Sequence, residues 1–202
     1  MSNLFGPPDT PENFFAGMAG PTGRLESLPG GDAGVKKTLK KMREFTRDGS
    51  KDPNIRQLAM SIIRKCRVKD ALCETKAVFK WVQENLRWTR DVDGVETLQK
   101  PARTLSSEWR AGDCDDLSMA LAALLLSVGI GPVRFKVIAA DPENPEGFSH
   151  VYLQVAMPTS HNQMAGLGGI GEIEWVSLDP SPPGVGFGWE HDKRFREGIF
   201  NV

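Results

Sequence analysis

Gly112-Asp113-Cys114-Asp115-Asp116 runs without a break into Leu117-Ser118-Met119-Ala120-Leu121-Ala122-Ala123-Leu124-Leu125-Leu126. This junction constrains the chain more than any other stretch. The run from Leu117 to Ile130 is interrupted by Ser118 and Ser127 and is too short to cross a bilayer, so it reads as a helix enclosed by the rest of the core. Cys114 then stands at the mouth of that helix. Unpaired N–H groups and a partial positive charge there favour a thiolate and can donate to an oxyanion. Asp113, Asp115 and Asp116 act in the opposite sense on the thiol, and the sequence leaves the balance open. Capping and the helix dipole account for these carboxylates, so no metal is expected.

The segments before this helix have helical grammar. Val35 to about Arg47 carries a stripe of Val35, Leu39, Met42 and Phe45 beneath a solvated lysine face. Asp52-Pro53 reads as an N-cap followed by proline at the first helical position, with Ile55, Leu58, Ala59, Ile62, Ile63 and Cys66 at helical spacing behind it, which makes Cys66 a core residue. Asp70 caps a third helix with Val78, Trp81, Val82 and Leu86 inside.

After Gly129 and Gly131-Pro132 the grammar changes to strands: Val133 to Ala139, Phe148 to Ala156, and Ile173 to Leu178. Helices first and strands second predict an α+β fold with a small antiparallel sheet. Alternation places Val151, Leu153 and Val155 on one face of the second strand and His150, Tyr152 and Gln154 on the other. Ile173, Trp175, Ser177 and Asp179 share a face of the third. If the two strands are antiparallel neighbours, Asp179 approaches His150, and with Cys114 they complete a nucleophile, base and orienter. His161, in the Gly-rich loop from Met157 to Gly171, and His191, in a polar tail, read as exposed loop residues. His191 is the fallback if His150 fails as base.

At 202 residues and a formal net charge of -1, the chain fits one domain with an extension, and its charge gives no reason to expect nucleic acid or an anionic membrane as partner. Residues 1–34, rich in Gly and Pro, read as an arm and 35–202 as the domain. Phe14 and Phe15 are the arm's docking candidates, in cis or in trans. The N-terminus lacks a secretory pattern, and Cys66, Cys73 and Cys114 show neither disulfide-framework nor zinc-pair spacing. A cytoplasmic, reducing setting is the expectation.

Five boxes between Lys76 and Pro180 resemble the transglutaminase-like superfamily of papain-type thiol enzymes, especially its small stand-alone bacterial and bacteriophage members. They are the helix Ala77 to Trp88, the Gly-x-Cys-x-Asp of 112–116, the following helix up to Gly129-Ile130 before Val133-Arg134-Phe135, His150-Val151-Tyr152, and Leu178-Asp179-Pro180. The resemblance implies that Cys114, His150 and Asp179 are catalytic, that a protein or peptide amide is attacked to give a thioester, and that no cofactor is used. Hydrolysis is favoured slightly over capture by an amine, because no element that shields the thioester is legible. Trp88 and Trp109 are the candidates for a side-chain oxyanion donor beside the Cys114 N–H. Two other readings stay open. One is a structural or assembly protein, virion-associated in the bacteriophage case and engaging a protein partner through the arm; the other is a binding module that uses the cleft without turnover.

Overall fold

The computed structural model describes residues 26–91, 97–158 and 173–202. Phe14, Phe15 and His161 lie outside these residues. Three helices, α1 (Gly31–Gly49), α2 (Pro53–Ile63) and α3 (Ala71–Asn85), precede the strand β1 (Arg87–Trp88), the turn of helix α4 (Pro101–Thr104), the strand β2 (Ala111–Gly112) and the helix α5 (Cys114–Ser127). Four strands follow, β3 (Val133–Ala139), β4 (His150–Pro158), β5 (Ile173–Leu178) and β6 (Arg196–Asn201). They form one antiparallel sheet in the order β5-β4-β3-β6.

The junction at Gly112 resolves as the sequence demands. From Leu117 to Leu125 every residue of α5 is buried. The apolar stripes of α1, α2 and α3 converge on it, and Val151, Leu153 and Val155 of β4 close the same core from the sheet side. Asp52 and Asp70 cap α2 and α3 by accepting from Asn54 N at 2.8 Å and Cys73 N at 3.0 Å. Each satisfies a backbone donor that the helix itself cannot. The chain belongs to the α+β class, with its helices on one face of the sheet.

Both faces of β4 are covered, since the segment after β5 folds back over the side opposite the helices. Gly188 N donates to Ser177 O at 3.0 Å. Glu190 accepts from Lys136 Nζ at 3.1 Å and from Gln154 Nε2 at 3.2 Å. This covering segment and the edge strand β6 were not expected from sequence. α1 starts at Gly31, so the last four residues assigned to the arm are helical.

The expectation for Cys66 is overturned. α2 stops at Ile63, and Cys66 lies in the connection to α3, joined to Cys73 by a disulfide. The physical reason is a tight reversal in which Cys66 N donates to Ile63 O at 2.8 Å, Asp70 N donates to Arg67 O at 3.0 Å, and Lys69 takes a φ of 65°. The two Cα atoms are thereby held 5.8 Å apart, within the reach of a disulfide. Cysteine usage no longer argues for a reducing compartment. Cys114 is the free thiol.

Candidate active site

Cys114 is the first residue of α5, and its backbone N–H has no partner inside the helix. Asp113 takes the N-cap position and accepts from Asp116 N at 3.4 Å. Asp116 is buried and fastened by Gln99, whose backbone N donates at 2.7 Å and whose Nε2 donates at 2.5 Å. The glycine of the Gly-x-Cys-x-Asp box follows from this packing. A Cβ on Gly112 would lie 2.4 Å from the Cβ of Asp116, so a side chain at 112 would displace the carboxyl group that ties the start of α5 to Gln99. Burial raises the pKa of Asp116 to about 8, helped by the charges of Asp113 and Asp91 and opposed by the Gln99 donors.

The same surroundings settle the direction for the thiol. Burial is the largest cause, Asp115, Asp113 and Asp179 add to it, and Cys114 is pushed up from its ordinary value despite a hydrogen bond from the Val151 backbone. Thiol and helix terminus are therefore not a ready-made thiolate, because desolvation and three carboxylates disfavour the charged sulfur. The Val151 contact also places the sulfur beside the residue that follows His150.

His150 opens β4 and Asp179 follows β5, its antiparallel neighbour, with Leu153 opposite Leu178. His150 Nε2 donates to Asp179 Oδ2 at 2.6 Å. Asp179 Oδ1 accepts from Ser181 N at 3.0 Å. Burial opposes the charge on Asp179, but the donors from His150, His191 and Ser181 outweigh it and hold its carboxyl below the usual range. With Nε2 committed to Asp179, Nδ1 is the ring nitrogen left for proton exchange.

His191 is not the exposed tail residue the sequence suggested. Its Nε2 donates to the same Asp179 Oδ2 at 2.8 Å, because the segment after β5 returns across the His150 face of the sheet. Nothing local could have signalled this, since His191 lies in neither a helix nor a strand and its partner is fixed by the return path. Trp88 and Trp109 are both about half exposed. Trp88 pairs with Gly112 in the parallel β1–β2 ladder, two residues from Cys114, whereas Trp109 carries the Arg103 guanidinium 4.4 Å from its ring centroid.

Among the described residues two clusters bring three metal-type ligand atoms within 4.8 Å of one another: His150, Asp179 and His191, and Asp113, Asp115 and Asp116. In the first, both imidazole Nε2 atoms are engaged with one carboxylate oxygen. In the second, Asp113 caps α5 and Asp116 is bound by Gln99.

A groove of about 810 Å³ opens beside the site, lined by Phe79, Leu86, Trp88, Pro180, Pro183 and Phe187 among others. Two of its lining residues adjoin the site: Pro180 follows Asp179 in the chain, and Trp88 pairs with Gly112 in the β1–β2 ladder. Gln83 Nε2 donates to Val185 O at 3.0 Å and joins the two walls.

The thiol at the start of α5 thus lies against the strand that opens with His150, whose partner Asp179 follows the neighbouring strand. The family model of the transglutaminase-like superfamily matches residues 56–180, and the chain belongs to that superfamily. A solved structure from Cytophaga hutchinsonii, described as "a Putative Cysteine Protease", is 17% identical with a TM-score of 0.42. The match covers 80% of this chain and 63% of that one, so the chain spans less than two thirds of that neighbour. A search of curated proteins finds no match. Among the described residues, no helix is long and apolar enough to cross a membrane.

Proposed function

We propose that this protein is a cysteine-dependent hydrolase of protein or peptide amides, with Cys114 as nucleophile, His150 as general base and acid, and Asp179 as the group that orients His150. The observation that carries this reading is the 2.6 Å bond from His150 Nε2 to Asp179, one residue before the backbone that touches the Cys114 sulfur. Because burial and carboxylates keep the thiol protonated, its proton leaves for His150 Nδ1 as sulfur bonds to the amide carbon, rather than beforehand. The Cys114 N–H donates to the oxyanion, and Trp88, by its place opposite Gly112, is favoured over Trp109 as the second donor. His150 returns the proton to the departing amine. Water, deprotonated by His150, then cleaves the thioester and the proton goes back to sulfur.

The groove between α3 and the 180–187 segment suits an extended peptide, since it is open, mostly apolar, and lined by Pro180 and Trp88 next to the site. The test is to treat the full chain with a glutamine-mimic electrophile and map the labelled peptide. Labelling at Cys114, lost in Cys114→Ala and in His150→Ala and reduced less in Asp179→Asn, is the expected result. Labelling that persists in His150→Ala at the wild-type rate would remove His150 as base.

A further inference from the structure

One partly buried imidazole beside the pair takes no part in that chemistry. His191 lies twelve residues beyond Asp179 in sequence, yet its Nε2 meets the same oxygen atom as His150 Nε2, at 2.8 Å against 2.6 Å. The Asp179 side chain has no exposed surface, and the two imidazole side chains keep 16% and 21% of theirs. His191 is fixed from several sides. Its ring centroid lies 4.8 Å from that of His150, 4.5 Å from Trp189 and 5.7 Å from Tyr152. Its carbonyl accepts from Arg194 at 2.7 Å, and Glu190 before it is bound to Ser177 and Lys136.

We infer that His191 is a positioning residue for the Asp179 carboxylate, filling the lone pair of Oδ2 that His150 leaves open and so fixing the direction in which His150 presents Nδ1. This rests on the thiol-enzyme reading and deepens it. A carboxylate oxygen accepts along two lone-pair directions, and with His150 alone a buried Oδ2 would be half satisfied. His191 supplies the second donor, and Ser181 N holds the other oxygen. Three donors keep a buried carboxylate ionised, and only the ionised form fixes the His150 proton on Nε2.

A second consequence concerns the groove. The segment from Pro180 to Phe187 forms one of its walls. That wall is tied to Asp179 at one end by the peptide bond to Pro180 and beyond its other end by the His191 hydrogen bond. Base and substrate wall are thereby held in one piece.

The test uses the full chain carrying His191→Ala or His191→Gln, the glutamine amide N–H being able to donate to Asp179 without titrating. The other titratable or charged groups acting on this cluster are Cys114 from α5, Tyr152 from β4, Lys136 from β3, and Glu190 and Arg194 beside His191. All are left intact, so their contributions cancel in the comparison. Two quantities are read: the titration of the Asp179 carboxyl by carbon NMR, and the pH profile of Cys114 labelling by the glutamine-mimic electrophile. His191→Ala should raise the Asp179 midpoint, move the acid limb of labelling to higher pH and slow labelling about tenfold, the size expected for losing one hydrogen bond to a charged group. His191→Gln should restore most of each. An Asp179 titration unchanged by His191→Ala would overturn the inference, as would equal losses in the Ala and Gln variants. Absence of labelling in the wild type would instead defeat the thiol-enzyme reading, and the Asp179 titration would still decide the role of His191.

Discussion

Ser118 Oγ donates to the Val151 carbonyl at 3.4 Å and sets the register of α5 on β4. Ser118 is one helical turn beyond Cys114, so the two side chains project from the same face, and both meet the backbone of Val151. The position of the thiol relative to His150 is therefore a property of helix-on-strand packing rather than of a loop.

Replacing Ser118 by Ala should lower stability by about 1 kcal/mol, the loss of one buried hydrogen bond. Ser118→Leu should cost more, about 1–3 kcal/mol, because Ser118 has no exposed surface and the added volume must push α5 from β4. Thermal melts measure the first effect, and labelling of Cys114 the second. Full labelling in Ser118→Leu would mean that the register is held elsewhere.

The charge around Cys114 gives a cleaner variant. Asn caps a helix as well as Asp does, so Asp113→Asn should leave the melt of the protein nearly unchanged while removing one of the carboxylates that push the thiol up. At any pH where the thiol is mostly protonated, iodoacetamide should then alkylate Cys114 several-fold faster, on the scale of one nearby charge. Without reductant Cys114 should take up the label alone, because Cys66 and Cys73 are joined. Label on Cys66 or Cys73 under those conditions would contradict the disulfide.

Those cysteines mark where sequence reading stops. The partnership of His150 and Asp179 was legible because strand alternation is a local rule and the approach needed only that the two strands be antiparallel neighbours, which they are, with Leu153 opposite Leu178. Cys66 continues the apolar spacing of α2 in sequence, but the helix ends three residues earlier and the chain reverses through Lys69. Periodicity cannot show where a helix is cut short by its connection. His191 fails for a related reason. Its partner lies across a return path anchored by Glu190 on Ser177 and Lys136, and no pattern around His191 encodes that path. β6 escaped because it is an edge strand, half exposed along its length and interrupted by Gly198.

Asp116 should make stability depend on pH. Its carboxyl is raised from 3.8 to about 8 in the folded protein, so between those values the folded state holds a proton that the unfolded chain has released. Stability from this group is complete below the unfolded value and is lost as pH rises toward and through the folded one. Asp116→Asn cannot titrate. The stability of the variant relative to wild type should therefore improve between about pH 5 and about pH 8, whatever its absolute level. Denaturant melts at the two pH values give the difference directly, and a difference that is constant with pH would show that Asp116 is ionised throughout.

The start of the domain can be set by a pair of truncations. Asp32 in the first turn of α1 accepts from Arg196 at 2.6 and 2.9 Å, and Arg196 also donates to Glu146 O at 3.0 Å and lies 4.5 Å from the Phe148 ring centroid. α1 is thus tied to the edge strand β6 and to the loop leading into β4. Gly34 is buried, with no room for a Cβ beneath the Pro29 carbonyl. A chain beginning at Glu26 keeps these contacts, whereas one beginning at Val35 loses the first turn of α1 together with its acidic residue at the positive end of the helix dipole. Both should unfold cooperatively, because the stripe of Leu39 and Met42 against the core is present in each. The shorter chain should melt several degrees lower, on the scale expected for about 1 kcal/mol in a chain of this size. Cys114 labelling should be the same in the two, since the contacts that distinguish them, those of Asp32 and Gly34, are made with Arg196 and Pro29 rather than with α5. Equal melting temperatures would place the boundary at Val35, and a molten product from the Glu26 chain would make residues before it part of the core.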